Sequence, residues 1–473
     1  MKLAAKPWLL AALSGLLLVL IHPDANLYVL APFALAPLHA VIQNEPNWRR
    51  RFLLGWLSGI LYWGGMCYWI QGTLARHGGM SVGLASFVFV LFALAKGLHS
   101  AVFTALGPRH PLVFAALWTG LERTHATLGF PWLTLGDAGI DSWLELLPPY
   151  AGVYGISFAF AALAAVAATV APAQRKWLLA CLVLFAVVPG TYESGIRPFA
   201  LSVQPNFDED APPRDPAAVL LALSRSEKKP ELILWPEMPV GLYYEQDVLL
   251  RSRLAEQTRS AGVPLIAGTV SYAGPQQPRN SVHFIDAGGH AVARYDKANL
   301  VPFGEFVPWP FNTFVEKVST EAGVFTAGEG AKVVSLGGMR VGVFVCYESA
   351  FPHYVRQFTA QGAGVLVNVS NDGYFARSAA RRQHLALTRM RALENGRWLL
   401  RSTNDGFTAS LGPRGTLYQV AEPYQAAGIP LPFEQRKDLN YYVRYGDWFA
   451  WTCLITGLAA TIWERRRRHA VPA

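Results

Sequence analysis

The stretch Gly337-Gly338-Met339-Arg340-Val341-Gly342-Val343-Phe344-Val345-Cys346-Tyr347-Glu348-Ser349 reads as a buried strand that ends at a thiol. A Gly-Gly turn opens it, an apolar run with β-branched residues fills it, and a helical pattern over 351–361 follows at once. A cysteine at such a strand-to-helix turn is expected at the edge of a sheet, exposed, with the next helix N-terminus favouring its thiolate. The competing reading is a structural cysteine in a core strand, because free cysteines are among the most buried residues.

Working outward, apolar strands are expected at about 198–204, 231–235, 263–272, 281–286, 291–295, 363–369, 398–403 and 407–411. Helical patterns separate them near 215–226, 245–261 and 378–395. Strands alternating with helices and joined by turns such as Asp286-Ala287-Gly288-Gly289 imply a layered α/β domain.

Two of these strands end at further ionisable groups. Glu237 closes Leu-Trp-Pro-Glu-Met-Pro, where Pro236 and Pro239 stiffen the turn and argue for a positioned carboxylate. Lys297 stands in Tyr-Asp-Lys-Ala-Asn-Leu-Val-Pro-Phe-Gly-Glu, ahead of a Pro/Gly/aromatic loop that carries Glu305. A strand-end Glu or a solvated Lys is ordinary when met alone. Together with Cys346 they supply a base, a charge stabiliser and a nucleophile, the set that acyl transfer through a thioester requires.

The rest of the chain has a different texture. Of 473 residues 52% are hydrophobic and only 15% charged, which suits a membrane protein better than a soluble one. Apolar runs near 7–22, 27–43, 52–71, 80–105, 111–128, 146–171, 177–191 and 447–463 approach the roughly 20 residues needed to span a bilayer. The first is read as an uncleaved helix, since no small-x-small site follows it. The net charge of +9 gathers in short clusters (Lys2 and Lys6, Arg49 to Arg51, Arg175-Lys176, Arg465 to Arg468) that flank these runs. They read as positive-inside signals and not as a nucleic-acid patch. With both termini in the cytoplasm every cluster falls on the cytoplasmic side, and residues 195–445 fall outside it. The four cysteines show no metal-ligand or disulfide spacing, so no metal is expected. The boundaries expected are a transmembrane bundle over 1–194, an extracytoplasmic catalytic domain over 195–445, and a closing helix with a basic tail over 446–473.

The trio and its wording resemble the nitrilase superfamily, and the details resemble its membrane branch, the apolipoprotein N-acyltransferases. Besides Trp-Pro-Glu and Cys-Tyr-Glu, the resemblance rests on Leu-Gly-Phe-Pro-Trp-Leu-Thr-Leu-Gly (128–136), Gly-Val-Tyr-Gly-Ile-Ser-Phe (152–158), Ser-Asn-Asp (370–372) and Tyr442-Val-Arg444-Tyr-Gly-Asp447. It implies a nitrilase-type αββα sandwich carried on eight transmembrane helices, seven before it and one after, in a bacterial cytoplasmic membrane. It implies Cys346 as nucleophile, Glu237 as general base and Lys297 as oxyanion stabiliser. Glu305, Tyr347 and Glu348 match the supporting shell, and Tyr374 and Phe375 fall where the family has a mobile lipid-contacting loop. The chain departs from the family at Asn299, usually His, and at Arg279-Asn280-Ser281, usually Tyr-Asn-Ser.

The activity so implied moves a fatty acyl chain from a membrane phospholipid, through a thioester, to the α-amino group of the S-diacylglyceryl cysteine of apolipoproteins. A thioester is already activated toward amines, so no cofactor is expected. The apolar stretch 309–315 reads either as a lid dipping into the bilayer interface or as a segment packed onto the domain. Three rival readings stand beside this one: a membrane-tethered amidase or nitrilase-type hydrolase, a specialised acyltransferase paralogue, and a transporter whose function rests on the intramembrane Glu122 and Lys96.

Overall fold

The computed structural model describes residues 2–169, 198–208, 211–275, 277–307 and 325–470. The apolar run 177–191, the pair Arg175-Lys176 and the stretch 309–315 lie outside the described residues. The chain divides into two compact units, one of Met1–Gly72, Ser81–Tyr192 and Tyr445–Ala473, the other of Thr73–Met80 and Glu193–Arg444.

The first unit is helical: α1 (Lys2–Leu20), α2 (Ala36–Asn44), α3 (Trp48–Met66), α4 (Trp69–Arg76, which runs on into the second unit), α5 (Val82–Leu106), α6 (Pro111–Thr127), α7 (Pro148–Ala151) and α8 (Val153–Thr169). Three of the expected runs are broken, and the run 52–71 divides between α3 and α4 at Cys67-Tyr68. The run 27–43 starts as a 3-10 turn, Tyr28–Phe33, and turns α-helical only at Ala36, with Pro32 and Pro37 at the break. The run 146–171 is interrupted at Gly152, whose φ of +65° ends α7. Among the described residues α5 is the one helix long and apolar enough to cross a membrane; Lys6–Leu20 and Val153–Thr169 are apolar but shorter. Val82, Phe87, Val90 and Val102 of α5 are exposed.

Small residues let α3 and α5 approach closely: a Cβ on Gly59 would lie 2.7 Å from Gly97 Cα, a contact real side chains do not make. Arg51, read from sequence as part of a topology signal, is buried. Its guanidinium donates to the carbonyls of Thr104 and Ala105 at 3.1 Å each, closing the C-terminal end of α5. Lys96 and Glu122 are tied inside the same unit. Lys96 donates to Phe130 O at 2.8 Å and lies over the Trp63 ring, while Glu122 accepts from Leu135 N at 2.9 Å. Both hold the irregular 128–135 segment, where backbone groups inside a bundle need partners.

The second unit contains twelve described strands in two six-stranded sheets: β1 (Phe199–Gln204), β2 (Leu232–Leu234), β3 (Leu265–Tyr272), β4 (Pro278–Ile285), β5 (Ala291–Asp296), β6 (Val333–Leu336), β7 (Met339–Val345), β8 (Val365–Ser370), β9 (Leu399–Thr403), β10 (Thr408–Leu411), β11 (Leu417–Ala421) and β12 (Ala427–Pro432). The sheet orders are β12-β1-β2-β3-β4-β5 and β11-β10-β9-β8-β7-β6. Each sheet has three parallel strands at its centre, β1-β2-β3 in one and β7-β8-β9 in the other. Its helices are α9 (Pro216–Leu223), α10 (Val248–Ala261), α11 (Pro352–Ala360) and α12 (Ala380–Asn395). Two more helices close the chain, α13 (Tyr441–Tyr445) and, in the helical unit, α14 (Trp448–Ala470).

Strand periodicity sets the layers. Val203, Ile233 and Leu265 pack with Leu220 of α9 and Leu250 and Leu254 of α10. On the opposite face of β1, the Ser202 hydroxyl donates to the Ser402 hydroxyl of β9 at 2.8 Å, joining the two sheets face to face. The order is therefore helix, sheet, sheet, helix. Nearly all the expected strands and helices are present. The reading missed β6, β11 and β12, all edge strands. Pro430 and Pro432 hide β12, since prolines are tolerated only where one strand side goes unpaired.

Candidate active site

Cys346 follows the last residue of β7 and opens a 3-10 turn, Cys346–Ala350. The expectation of an exposed thiolate is corrected here: Cys346 is only 5% exposed. Burial first, then the nearby Glu237 carboxylate, pushes the thiol pKa well up, so the resting group is S–H. The turn Cys346–Ala350 carries the residue into the interior instead of an open edge. Its φ of +49° is a left-handed conformation that residues with a Cβ rarely adopt.

Glu237 stands on the turn after β2. That turn crosses β3 so tightly that a Cβ on Gly268 would meet Pro236 O at 2.1 Å and Glu237 Cα at 2.9 Å. Only glycine admits the approach. The carboxylate is 3% exposed and held by three donors: Oε1 accepts from Asn280 Nδ2 at 2.7 Å and Lys297 Nζ at 3.1 Å, and Oε2 from the Asn371 N–H at 2.8 Å.

Lys297, directly after β5 and 1% exposed, also lies 3.0 and 2.9 Å from the two oxygens of Glu305. Burial works against its ammonium, but the Glu237 and Glu305 carboxylates outweigh it and hold the pKa well above the ordinary lysine value. Glu305 is set by its own loop, since its Oε2 accepts from Val301 N at 2.8 Å. The structure thus brings Glu237, Lys297, Glu305 and Cys346 into one buried site, with two carboxylates around one ammonium.

Tyr347 packs its ring edge-on against Phe351. Glu348 is placed differently from what a shell residue facing the reaction would show. It is wholly buried and accepts from the backbone N–H groups of Ala298, Asn299 and Val345 and from the Tyr295 hydroxyl. Tyr374 and Phe375 occupy a 3-10 turn, Asp372–Phe375. Within the same unit the Tyr374 carbonyl accepts from Thr73 Oγ1 at 3.0 Å and its ring meets that of His77, while Phe375 meets the His384 ring edge-on.

Sequence reasoning missed Asn280, whose amide donates to Glu237 and to Glu305 at 2.7 and 2.8 Å. It also gave no role to Asp372, His384 and Arg401, a buried, mutually bonded cluster that reaches the Cys346 carbonyl through His384. The Ser-Asn-Asp run at the end of an apolar strand was the available signal. Among the described residues no group of three or more His, Cys, Asp or Glu side chains is arranged to hold a metal.

Two facing sheets between helix layers, with a buried Glu, Lys and Cys at their strand ends, define a carbon-nitrogen hydrolase type of domain. Residues 202–428 match the Carbon-nitrogen hydrolase family, and residues 14–166 match the Apolipoprotein N-acyltransferase N-terminal domain. An apolipoprotein N-acyltransferase of Geobacter metallireducens is 30% identical over 98% of this chain and 96% of its own. One from Methylococcus capsulatus is 30% identical over 98% and 97%. Among solved structures, an amidase from Nesterenkonia sp. is 22% identical with a TM-score of 0.41, covering 54% of this chain and 95% of its own. The chain belongs to the apolipoprotein N-acyltransferase family and is an acyltransferase.

Proposed function

We propose that this protein takes a fatty acyl chain from a membrane phospholipid and gives it to the α-amino group of the S-diacylglyceryl cysteine of an apolipoprotein, by way of a thioester on Cys346. The observation that carries the mechanism is the division of labour among hydrogen bonds. Oε1 of Glu237 receives two donors, whereas Oε2 receives one and keeps a second lone pair. Oε2 is therefore the atom that takes the thiol proton. Lys297 is held by Glu237 and Glu305 as a fixed positive charge beside the thiol, the charge an oxyanion needs.

In the first half-reaction the thiolate attacks the ester carbonyl, and the negative oxygen that forms is held by Lys297. The C–O bond then breaks, Glu237 returns the proton to the leaving oxygen, and a lysophospholipid departs. In the second half-reaction the lipoprotein amine attacks the thioester carbonyl. Glu237 takes a proton from the amine, the C–S bond breaks, and the proton goes back to sulfur. Glu305, Tyr347 and Glu348 support this centre, and Tyr374 and Phe375 are read as lipid contacts.

We place seven helices of residues 1–194 in the bilayer, an eighth in residues 446–473 followed by a cytoplasmic basic tail, and residues 195–445 on the extracytoplasmic side. The exposed apolar face of α5 and the position of the basic clusters support this. A hydrolase reading is disfavoured because the match to acyltransferases extends through the N-terminal half. Wild-type protein given phospholipid alone should gain one acyl mass on the peptide carrying Cys346, removable by hydroxylamine, and Cys346→Ser should not. Acyl mass on Cys67, Cys181 or Cys453, or rapid release of free fatty acid, would overturn the assignment. A reporter active only outside the cytoplasm should work when fused after residue 300 and fail at the C-terminus; the reverse would refute the orientation.

A further inference from the structure

The left-handed backbone of Cys346 is strained for a residue with a Cβ, so something outside the turn has to hold it there. The Cys346 carbonyl faces His384 Nε2 of α12 at 3.0 Å. A carbonyl oxygen only accepts, so the hydrogen of that bond is on Nε2. On the other side of the ring, Nδ1 lies 2.9 Å from Asp372 Oδ1 and 3.1 Å from Arg401 Nη2. Arg401 in turn donates to both oxygens of Asp372 at 2.9 and 2.8 Å, and the Ser370 hydroxyl donates to Oδ1 at 3.0 Å. All of these side chains are buried.

The same strap reaches both halves of the catalytic pair. The Asn371 N–H donates to the Glu237 carboxylate, and Asp372 anchors the Arg401 guanidinium that faces Nδ1 of the ring holding the Cys346 carbonyl. Two consecutive residues just after β8 thereby set the nucleophile and the proton acceptor relative to one another.

We infer that His384 is a positioning residue for the acyl-transfer nucleophile: its Nε2–H holds the Cys346 carbonyl, with Nδ1 accepting from the Arg401 guanidinium that Asp372 holds, so that the sulfur stays aimed at Glu237. This rests on Cys346 being the nucleophile. A ring that merely filled space between α12 and the turn would contribute to stability alone and would leave the chemical step untouched.

The test compares two amides in the full-length protein, both of which remove the imidazole and leave Asp372 and Arg401 in place. His384→Gln carries an N–H donor close to the position of Nε2, and His384→Asn stops one bond short of it. Acylation of Cys346 by a phosphatidylethanolamine is followed as a single turnover by intact mass, with KM taken from steady-state transfer. His384→Asn should acylate about 100-fold more slowly, the scale of a nucleophile displaced by about an ångström. Its KM should stay within about twofold of wild type, because substrate binding is not what was removed. His384→Gln should recover most of the rate. Equal losses in the two variants, or wild-type acylation in His384→Asn, would overturn the positioning role while leaving Cys346 as nucleophile. Absence of acyl mass on Cys346 in the wild type would instead remove the reading beneath it.

Discussion

Glu348, two residues past the nucleophile, accepts a hydrogen bond at 2.8 Å from the backbone N–H of Ala298, the residue that follows Lys297. Through this bond the β7 turn that carries the sulfur and the β5 loop that carries the ammonium are held to each other. Glu348 does so with all four of its acceptor directions filled by donors, three of them backbone N–H groups and one the Tyr295 hydroxyl. A carboxylate suits that environment because it presents acceptors only.

Glu348→Gln should therefore harm both stability and rate. One oxygen becomes an NH2 that faces N–H donors, and each buried donor left unsatisfied costs about 1–3 kcal/mol. The expected result is a lower thermal midpoint together with slower acylation of Cys346. Wild-type values for both in the Gln variant would show that the link between the turn and the loop is dispensable.

Much of this was legible in the chain. The strands that bear chemistry, β2, β5, β7 and β8, are short apolar runs broken by Pro, Gly or a charged residue, and each has its functional group at its end. What was not legible depends on pairings between distant segments. Asn280 sits among alternating residues of β4 and looks like any polar strand position until β4 is paired with β3 and β5. His384 and Arg401 look like surface residues of an amphipathic helix and a strand, and their burial follows only from α12 packing against the Cys346 turn. Arg51 has a second role hidden for the same reason, since a helix end 53 residues away claims its guanidinium. The resting state of the thiol was also hidden, because burial and a facing carboxylate raise its pKa where a helix N-terminus alone would lower it.

That opposition gives a test of the base. Burial is the first cause of the raised thiol pKa and the Glu237 charge is the second. Glu237→Gln removes the charge, so the thiol should ionise at lower pH than in wild type. At a fixed pH near 8, alkylation of Cys346 by iodoacetamide should then become faster. Acylation by phospholipid should stop, because an amide cannot take the thiol proton. The two readouts move in opposite directions only if Glu237 is the base. A parallel fall in both would assign Glu237 a structural role.

Lys297 offers a prediction in which stability and pH separate charge from structure. Its folded pKa is raised above its usual 10.5, so its contribution to stability is fully present below that value and is lost only as pH rises through the folded pKa. Between pH 6 and 9 the wild type should accordingly show no change in thermal midpoint from this group. Lys297→Ala leaves Glu237 and Glu305 buried without their counter-charge, a loss on the order of 3–5 kcal/mol at neutral pH. Protonating either carboxylate relieves that repulsion, so the folded form of the variant binds protons more tightly than the unfolded one. Its stability should rise as pH falls, a slope the wild type lacks. Lys297→Arg keeps the charge but replaces a compact ammonium held between Glu237 and Glu305 with a broad planar fork, which does not fit the same contacts. It should preserve the flat pH dependence of stability yet acylate Cys346 about 100-fold more slowly, as loss of an oxyanion donor does. Near-normal acylation by Lys297→Ala would show that the ammonium balances the two carboxylates and takes no part in the chemistry.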